Sequence, residues 1–247
     1  MISYKACRVS LNPKRIIDWI CYKFKFFKEH PDYFVPDGLI VFTGGQGTGK
    51  TLSAVNYVEN LLKMYPKALL VTNLKLNNYP FDHERVFQFF NGDDLAKYSN
   101  NEYGVIYLID EIQLYFNSLK SKNINPEVMV QISQQRKQRK HIVATSQVFG
   151  RMAKPLREQF SSVLVCKNLF GFVQFNKLVD RDSIDDNDNG TTLKGKVLKK
   201  FLWFHSPKDY GKYDTYYVIK QNNFVAEEEK KVGIYGTELS SCYRPCE

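Results

Sequence analysis

The chain has 247 residues, of which 43% are hydrophobic and 15% aromatic, enough apolar material to bury a core and to exclude a globally disordered chain. Lys and Arg outnumber Asp and Glu by 35 to 26, which gives a formal net charge of +9. This excess favours polyanionic partners such as nucleic acid, nucleotides or an anionic membrane surface, without choosing among them.

The five cysteines are odd in number and scattered, which excludes a disulfide framework and indicates reduced thiols. The first residues do not resemble a secretory signal, and no apolar run reaches the roughly 18 residues of a membrane-spanning helix. We therefore expect an intracellular protein that can still lie on a membrane surface.

The first segment, residues 1–36, mixes basic and aromatic residues. Within it, the stretch that begins at Lys14 and ends at His30 has apolar side chains at helical spacing and several lysines, which predicts a basic amphipathic helix. Such a helix either packs on the rest of the chain with its lysines in water or lies on an anionic membrane. The first alternative is the simpler one, because any docked helix has an apolar face.

An α/β pattern begins after a turn signal at residues 36–38. Short apolar runs that predict strands alternate with segments of helical periodicity at residues 51–63 and 126–140. The predicted strands are residues 39–43, 68–72, 105–109, 141–145 and 162–166. This alternation predicts an α/β fold with a mostly parallel sheet flanked by helices, and the Gly-rich segment described below makes it a P-loop fold.

The character of the sequence changes after residue 168. Two β-rich runs, residues 170–178 and 197–205, are joined by a polar loop, and a third run covers residues 213–219. The predicted organisation is an N-terminal segment (1–36), an α/β core (37–168), a β-rich extension (169–222) and a weakly structured tail (223–247). Several lysines around residues 194–200 could contact a DNA backbone, although such a run is usually a solvated surface.

A Gly-rich segment, GGQGTGKT, connects the first predicted strand to the next helix and fits the pattern G-x-x-x-x-G-K-[ST]. Glycines let the backbone close around a phosphate, and the helix that follows adds the partial positive charge of its N-terminus. Lys50 can reach the β- and γ-phosphates, and the Thr51 hydroxyl can bind Mg²⁺. We therefore predict that ATP and Mg²⁺ bind here. The predicted nucleotide-binding residues are Gly44, Gly45, Gln46, Gly47, Thr48, Gly49, Lys50, Thr51 and Leu52.

Two carboxylates follow the predicted strand of residues 105–109. Asp110 is expected to face Thr51 and to hold Mg²⁺, and Glu111 is placed to act as a general base. Gln147 follows the next strand and is a candidate sensor of the γ-phosphate or its water, with Thr145 and Ser146 as weaker candidates. The pair of acids favours hydrolysis over phosphoryl transfer to a small acceptor.

Four arginines follow the acidic pair: Arg136, Arg139, Arg151 and Arg157. Solvated surface charge is the usual explanation for any one of them. A hydrolysing ring, however, needs an arginine donated by a neighbouring copy to stabilise the transferring phosphoryl group. Arg157 and Arg139 are the preferred candidates for this catalytic role.

The order of these motifs resembles the FtsK–HerA superfamily of DNA-pumping ATPases: GxxxxGKT, Asn73 after the second strand, IDE, an Arg-bearing helix and a strand that ends at Gln147. Within that superfamily, the short chain and the sequence YDTYYVI at residues 213–219 resemble the zonula occludens toxin-like proteins, which are assembly and export ATPases of filamentous phages. By position, the resemblance makes Lys50 and Thr51 the Walker A pair, Asp110 and Glu111 the Walker B pair, and Gln147 the sensor.

The resemblance implies a motor that translocates, packages or exports DNA during phage or mobile-element morphogenesis. It implies a ring of copies, expected to be a hexamer, with capsid or membrane assembly proteins as further partners, in the cytoplasm or peripherally at the inner face of the host membrane. Family members generally have a transmembrane segment after the ATPase domain, and none is visible here, which brings soluble packaging ATPases into consideration. The alternatives are an ATP-switched assembly factor that recruits partners without moving DNA, and a helicase-loader type of ATPase.

Overall fold

The computed structural model describes residues 13–77, 83–119, 124–184, 193 and 195–214. The chain divides into two units, residues 1–33 and residues 34–247. Helix α1, Pro13–Glu29, belongs to the first unit, as the helical spacing predicts, and none of its residues is buried. Membrane contact through this helix stays a prediction. Among the residues described, no helix combines the length and the apolar character that a membrane span requires.

The second unit contains a single eight-stranded sheet with helices packed against it. The strands are β1 Leu39–Thr43, β2 Leu69–Thr72, β3 Val86–Gln88, β4 Val105–Ile109, β5 Lys140–Ser146, β6 Phe160–Leu169, β7 Val173–Val179 and β8 Val197–Phe204. The helices are α2 Lys50–Met64, α3 Asp94–Lys97, α4 Pro126–Ser133, α5 Lys154–Arg157 and α6 Pro207–Tyr210. The strand order is β3-β2-β4-β5-β1-β6-β7-β8, in which the β6–β7 and β7–β8 pairings are antiparallel and the other five pairings are parallel.

Every residue of β1, β4 and β5 is buried, as expected for central parallel strands covered on both faces. One layer of the core includes Val41 and Tyr107, and the other, which includes Phe42 and Leu108, is formed with helix α2. The fold is thus the predicted P-loop α/β fold with a mostly parallel sheet. The carboxyl ends of β1, β4 and β5 meet at one edge of this sheet, which is where the predicted site residues follow the strands.

Several elements differ from the sequence-based expectation. The helix predicted for residues 126–140 ends at Ser133, because the backbone leaves helical geometry at Gln134 (φ −100°, ψ 6°). Residues 134–139 form turns, the last of them with Arg139 in a left-handed conformation at φ 52°. Strand β3 was not predicted. The predicted β-rich extension is an antiparallel continuation of the main sheet, and β6 runs through the predicted boundary at residue 168, while the domain boundaries themselves stay a prediction.

The segment after β8 contacts helix α2 through ion pairs between partly buried charged side chains. Lys212 forms ion pairs with Glu59 of α2 and, at 2.6 Å, with Asp209, while Lys63 approaches the Glu59 carboxylate to 2.6 Å. Burial acts to raise the pKa of Glu59, but the hydrogen bonds from the two lysines outweigh it and lower the pKa overall. Of the predicted third β run, only Tyr213 and the next residue are described, and Tyr213 pairs with Leu76; the predicted tail lies outside the described residues.

Candidate active site

The Gly-rich segment forms a loop between β1 and α2, as its composition predicts. Gly44 and Gly49 have φ angles of 149° and 76°, which lie in the region that glycine tolerates best. A Cβ atom on Gly49 would collide with the side-chain oxygen of Gln174, so the loop also depends on a close approach by strand β7. Thr48 closes the loop by donating its hydroxyl to the Gly45 carbonyl at 2.8 Å.

The two side chains of the loop that were predicted to contact phosphate and Mg²⁺ have defined positions. Lys50 is 6% exposed, and its Nζ donates to the Gly45 carbonyl at 3.0 Å, so its charge lies inside the loop. Thr51 Oγ1 donates to Asp110 Oδ1 at 2.9 Å, which brings together residues 59 positions apart in sequence. The Leu52 side chain is buried in the core at 4% exposure, so only its backbone is available to a phosphate. Gln46 and Gly47 form the exposed tip.

Asp110 is a partly buried carboxylate held by two hydroxyl groups. In addition to the Thr51 bond, Thr145 Oγ1 donates to the same Oδ1 atom at 2.7 Å. Burial raises the pKa of Asp110, and the hydrogen bonds from Thr145 and Thr51 offset only part of that increase. A carboxylate that is short of solvation in this way is stabilised by a cation.

The Thr51 hydroxyl and the Asp110 carboxylate fit Mg²⁺. Both are oxygen donors, the type that Mg²⁺ prefers, and they lie within 2.9 Å of each other. Among the residues described, no group of three or more His, Cys, Asp or Glu side chains is arranged so that it could hold a metal ion. A site of this kind leaves the remaining coordination positions to water and phosphate oxygens, as is usual for Mg²⁺ bound with a nucleotide.

Asn73 fixes the backbone at the end of β4. Its side chain, 1% exposed, accepts from the Asp110 N–H and donates to the Asp110 carbonyl, both at 2.8 Å, and also donates to Tyr115 Oη at 3.2 Å. The asparagine that follows β2 therefore holds the peptide groups on either side of Asp110. This role could be anticipated from sequence only through the motif order, which singles out Asn73.

Glu111 leaves the strand direction immediately after Asp110, with φ 51° in the left-handed region. Its N–H donates to Thr145 Oγ1 at 2.9 Å, which secures this turn. Its carboxylate accepts from Gln147 Nε2 at 3.2 Å and from Gln113 Nε2. The two residues predicted as base and sensor are thus in contact, and Gln113 is a further contact that sequence reasoning missed.

The two candidate arginines lie away from this cluster. Arg139 immediately precedes β5, and Arg157 is three residues before β6. Both strands run parallel to β1, so their amino ends lie at the opposite end of the strands from the Gly-rich loop of residues 44–51, which we call the phosphate loop. Arg157 is only 8% exposed, and its carbonyl accepts from Arg181 Nε at 3.0 Å. A role for either arginine at the site of a neighbouring copy stays a prediction.

A buried polar group in the antiparallel part of the sheet supports the phosphate loop and was not predicted from sequence. Gln174 of β7 is fully buried, and its Nε2 donates to the Thr48 carbonyl at 3.0 Å and to Asn176 Oδ1 at 2.8 Å. Its Oε1 atom is 3.2 Å from His205 Nε2. Asn176 Nδ2 donates in turn to Ser53 Oγ of α2 at 3.1 Å. Strand β7 therefore contacts both the loop and the helix that follows it.

Solved structures are similar to this chain in fold. The N-terminal domain of zonular occludens toxin from Neisseria meningitidis aligns with 72% of this chain and 98% of its own length, at a TM-score of 0.50 and 17% sequence identity. The genome packaging NTPase B204 from Sulfolobus turreted icosahedral virus 2, solved in complex with ATP-gammaS, aligns with 65% of this chain and 98% of its own, at a TM-score of 0.45 and 15% identity. No curated protein sequence matches the chain.

The family comparison is more specific than these structural similarities. The family model described as zonular occludens toxin (Zot) matches residues 38–201, which is more than half of the chain and includes β1 to β8 except for the last residues of β8. The chain therefore belongs to the zonular occludens toxin (Zot) family.

Proposed function

We propose that the chain is an ATP hydrolase whose site is formed by the phosphate loop and the carboxyl ends of β4 and β5. The observation that carries the proposal is the position of Glu111. Its carboxylate accepts hydrogen bonds from Gln147 and Gln113, and it is the residue that follows Asp110, which contacts Thr51. A carboxylate fixed beside a Mg²⁺ position is suited to accept a proton from the water that attacks the γ-phosphate.

The other residues divide the remaining tasks. The loop and the N-terminus of α2 would surround the triphosphate, and the Lys50 ammonium, which donates to the Gly45 carbonyl in the structure, would pair with a phosphate oxygen instead. Gln147, whose Nε2 donates to the Glu111 carboxylate at 3.2 Å, would orient the same water. Mg²⁺ held by Thr51 and Asp110 would neutralise charge on the β- and γ-phosphate oxygens.

The finer part of the proposal is that hydrolysis moves DNA, in the packaging or export of a phage or mobile-element genome by a ring of copies. Its support is the motif order, which resembles DNA-pumping ATPases, together with membership in the Zot family and the net charge of +9. Arg139 and Arg157 lie at the amino ends of their strands, away from the chain's own site. Either could therefore contact a transferring phosphoryl group only in the site of a neighbouring copy, as an arginine finger.

The test is steady-state ATP hydrolysis by the full chain, with and without single-stranded and double-stranded DNA. A DNA-moving motor is expected to hydrolyse ATP several-fold faster with at least one form of DNA. Lys50→Ala is the matched control, because it retains the fold-forming residues of α2 but loses the positive charge that meets the phosphates.

Tight nucleotide binding with slow turnover that DNA does not change would contradict the motor. It would favour an ATP-switched assembly factor that recruits capsid or membrane proteins. Stimulation that appears only after a partner helicase is added would favour a loader of that helicase. Analytical ultracentrifugation with ATP and DNA tests the ring separately, since a motor of this kind is expected to sediment as a closed oligomer.

A further inference from the structure

The antiparallel part of the sheet has an unusual charge composition. Residues 160–179 and 195–205, which include β6, β7 and β8, contain no Asp or Glu. The same residues contain five lysines: Lys167, Lys177, Lys196, Lys199 and Lys200. Charge of one sign that is not interspersed with the other creates a local positive potential, which attracts polyanions.

The strand register collects three of these lysines on one face of the sheet. Lys177 of β7 is directly opposite Lys200 of β8, and Lys167 of β6 is directly opposite Phe175 of β7. Side chains of directly paired residues point to the same face. We call this surface the lysine face, and its members are Lys167, Phe175, Lys177, Lys200, Leu202 and Phe204.

Nothing that the structure describes neutralises this face. None of its three lysines forms an ion pair with a described residue, and like charges directly opposite on neighbouring strands, as at Lys177 and Lys200, are unfavourable. Beside these lysines, Leu202 and Phe204 are 59% and 65% exposed. They lie on β8, an edge strand, where exposed apolar side chains are usually avoided. A ligand that carries both negative charge and flat apolar groups would satisfy both features.

Single-stranded nucleic acid is that kind of ligand. Its phosphates pair with lysines, and its unstacked bases pack on aromatic rings, whereas a duplex keeps its bases inside and offers mainly phosphates. The position of the face also suits a ligand coupled to ATP. Strand β7 presents Phe175 to the lysine face and the preceding residue, Gln174, to the Thr48 carbonyl of the phosphate loop, so one strand separates the two sites.

We propose that the lysine face binds single-stranded nucleic acid, with Lys167, Lys177 and Lys200 on the phosphates and Phe204 against a base. The placement next to the phosphate loop rests on the proposed function, whereas the binding itself does not need ATP. Each lysine that contacts a phosphate of a single strand contributes about 0.7 to the slope of log K against log salt.

The test is the fluorescence anisotropy of a labelled oligothymidylate with the full chain, without nucleotide, over a series of salt concentrations. The double variant Lys177→Gln and Lys200→Gln is expected to lower the salt slope by about 1.4, from two contacts of about 0.7 each. Phe204→Ala is expected to weaken binding roughly fivefold or more without changing the slope. Thermal melting checks that each variant is folded.

Two matched controls make the result specific to this face. Lys137→Gln with Lys154→Gln removes two exposed lysines outside the antiparallel strands and is expected to leave the slope unchanged. Lys177→Arg with Lys200→Arg keeps the charges and is expected to retain the slope of the unmodified chain.

An unchanged slope in the folded Lys177→Gln, Lys200→Gln variant would overturn the proposal. So would variants that bind the oligonucleotide normally but lose binding to anionic lipid vesicles, which would make the face a membrane contact. If that variant keeps full oligonucleotide affinity while DNA still stimulates hydrolysis, the surface is wrong and the motor stands. If the unmodified chain binds through this face but DNA does not stimulate hydrolysis, the surface stands and the motor is wrong.

Discussion

Replacing Asn73 with alanine tests how the acidic end of β4 is held in place. The Asn73 side chain pairs with both the N–H and the carbonyl of Asp110, at 2.8 Å each, and is 1% exposed. Asn73→Ala leaves both groups without their partner, at a cost of about 1–3 kcal/mol for each buried polar group left unpaired. The expected loss is therefore about 2–6 kcal/mol, from a typical total stability of about 5–15 kcal/mol.

The assay is urea unfolding followed by circular dichroism, with ATP turnover measured on the same protein. Turnover is expected to fall as well, because Asn73 positions the peptide groups that join Asp110 to Glu111. Asn60→Ala is the matched control, since Asn60 is exposed on α2 and its loss is expected to change stability by less than about 0.5 kcal/mol. A loss below about 1 kcal/mol in Asn73→Ala, with turnover intact, would refute the reasoning.

Two further predictions concern the site in the folded chain. Burial raises the pKa of Asp110 above its ordinary value of 3.8, so the ligand-free folded state keeps a proton that the unfolded chain has lost. Stability without ligand should therefore fall as pH rises from 3.8 through the raised pKa, while the affinity for Mg²⁺ with nucleotide, measured by calorimetry, should rise over that window. An affinity with the same pH dependence in Asp110→Asn would contradict this assignment. Gln174→Leu removes the donor to the Thr48 carbonyl, so the Kd for a nucleotide analogue should rise about tenfold, the equivalent of one hydrogen bond. The control Gln134→Leu, at an exposed position, should leave the Kd unchanged. Equal Kd values in the two variants would exclude a supporting role for Gln174.

The sequence predicted the parts of the fold that are encoded locally. The phosphate loop, its strand and its helix are contiguous, and the buried strands β4 and β5 are apolar runs that end in polar residues, so Asp110, Glu111 and Gln147 could be placed at one sheet edge. Strand β3 was missed because three residues are too few to show a periodicity. The end of α4 was missed because the backbone turns at Gln134, a change that nothing in the glutamine side chain requires.

Contacts between distant residues could not be predicted in this way. Gln174 reaches Thr48 across 126 positions, and only the pairing of β7 with β6 brings it there. The lysine face likewise depends on register, because a shift of one residue would move Lys177 to the other side of the sheet. Sequence reasoning identified a run of lysines near residue 200 but could not show which of them share a face.

The central claim, that the phosphate loop and the acidic pair form one hydrolytic site, is tested most directly by single-turnover ATP hydrolysis in Glu111→Gln. If Glu111 is the general base, the rate should fall by about 100-fold or more in the presence of Mg²⁺, while the Kd for ATP stays within a few-fold of that of the unmodified chain. Hydrolysis by Glu111→Gln at the rate of the unmodified chain would contradict the account.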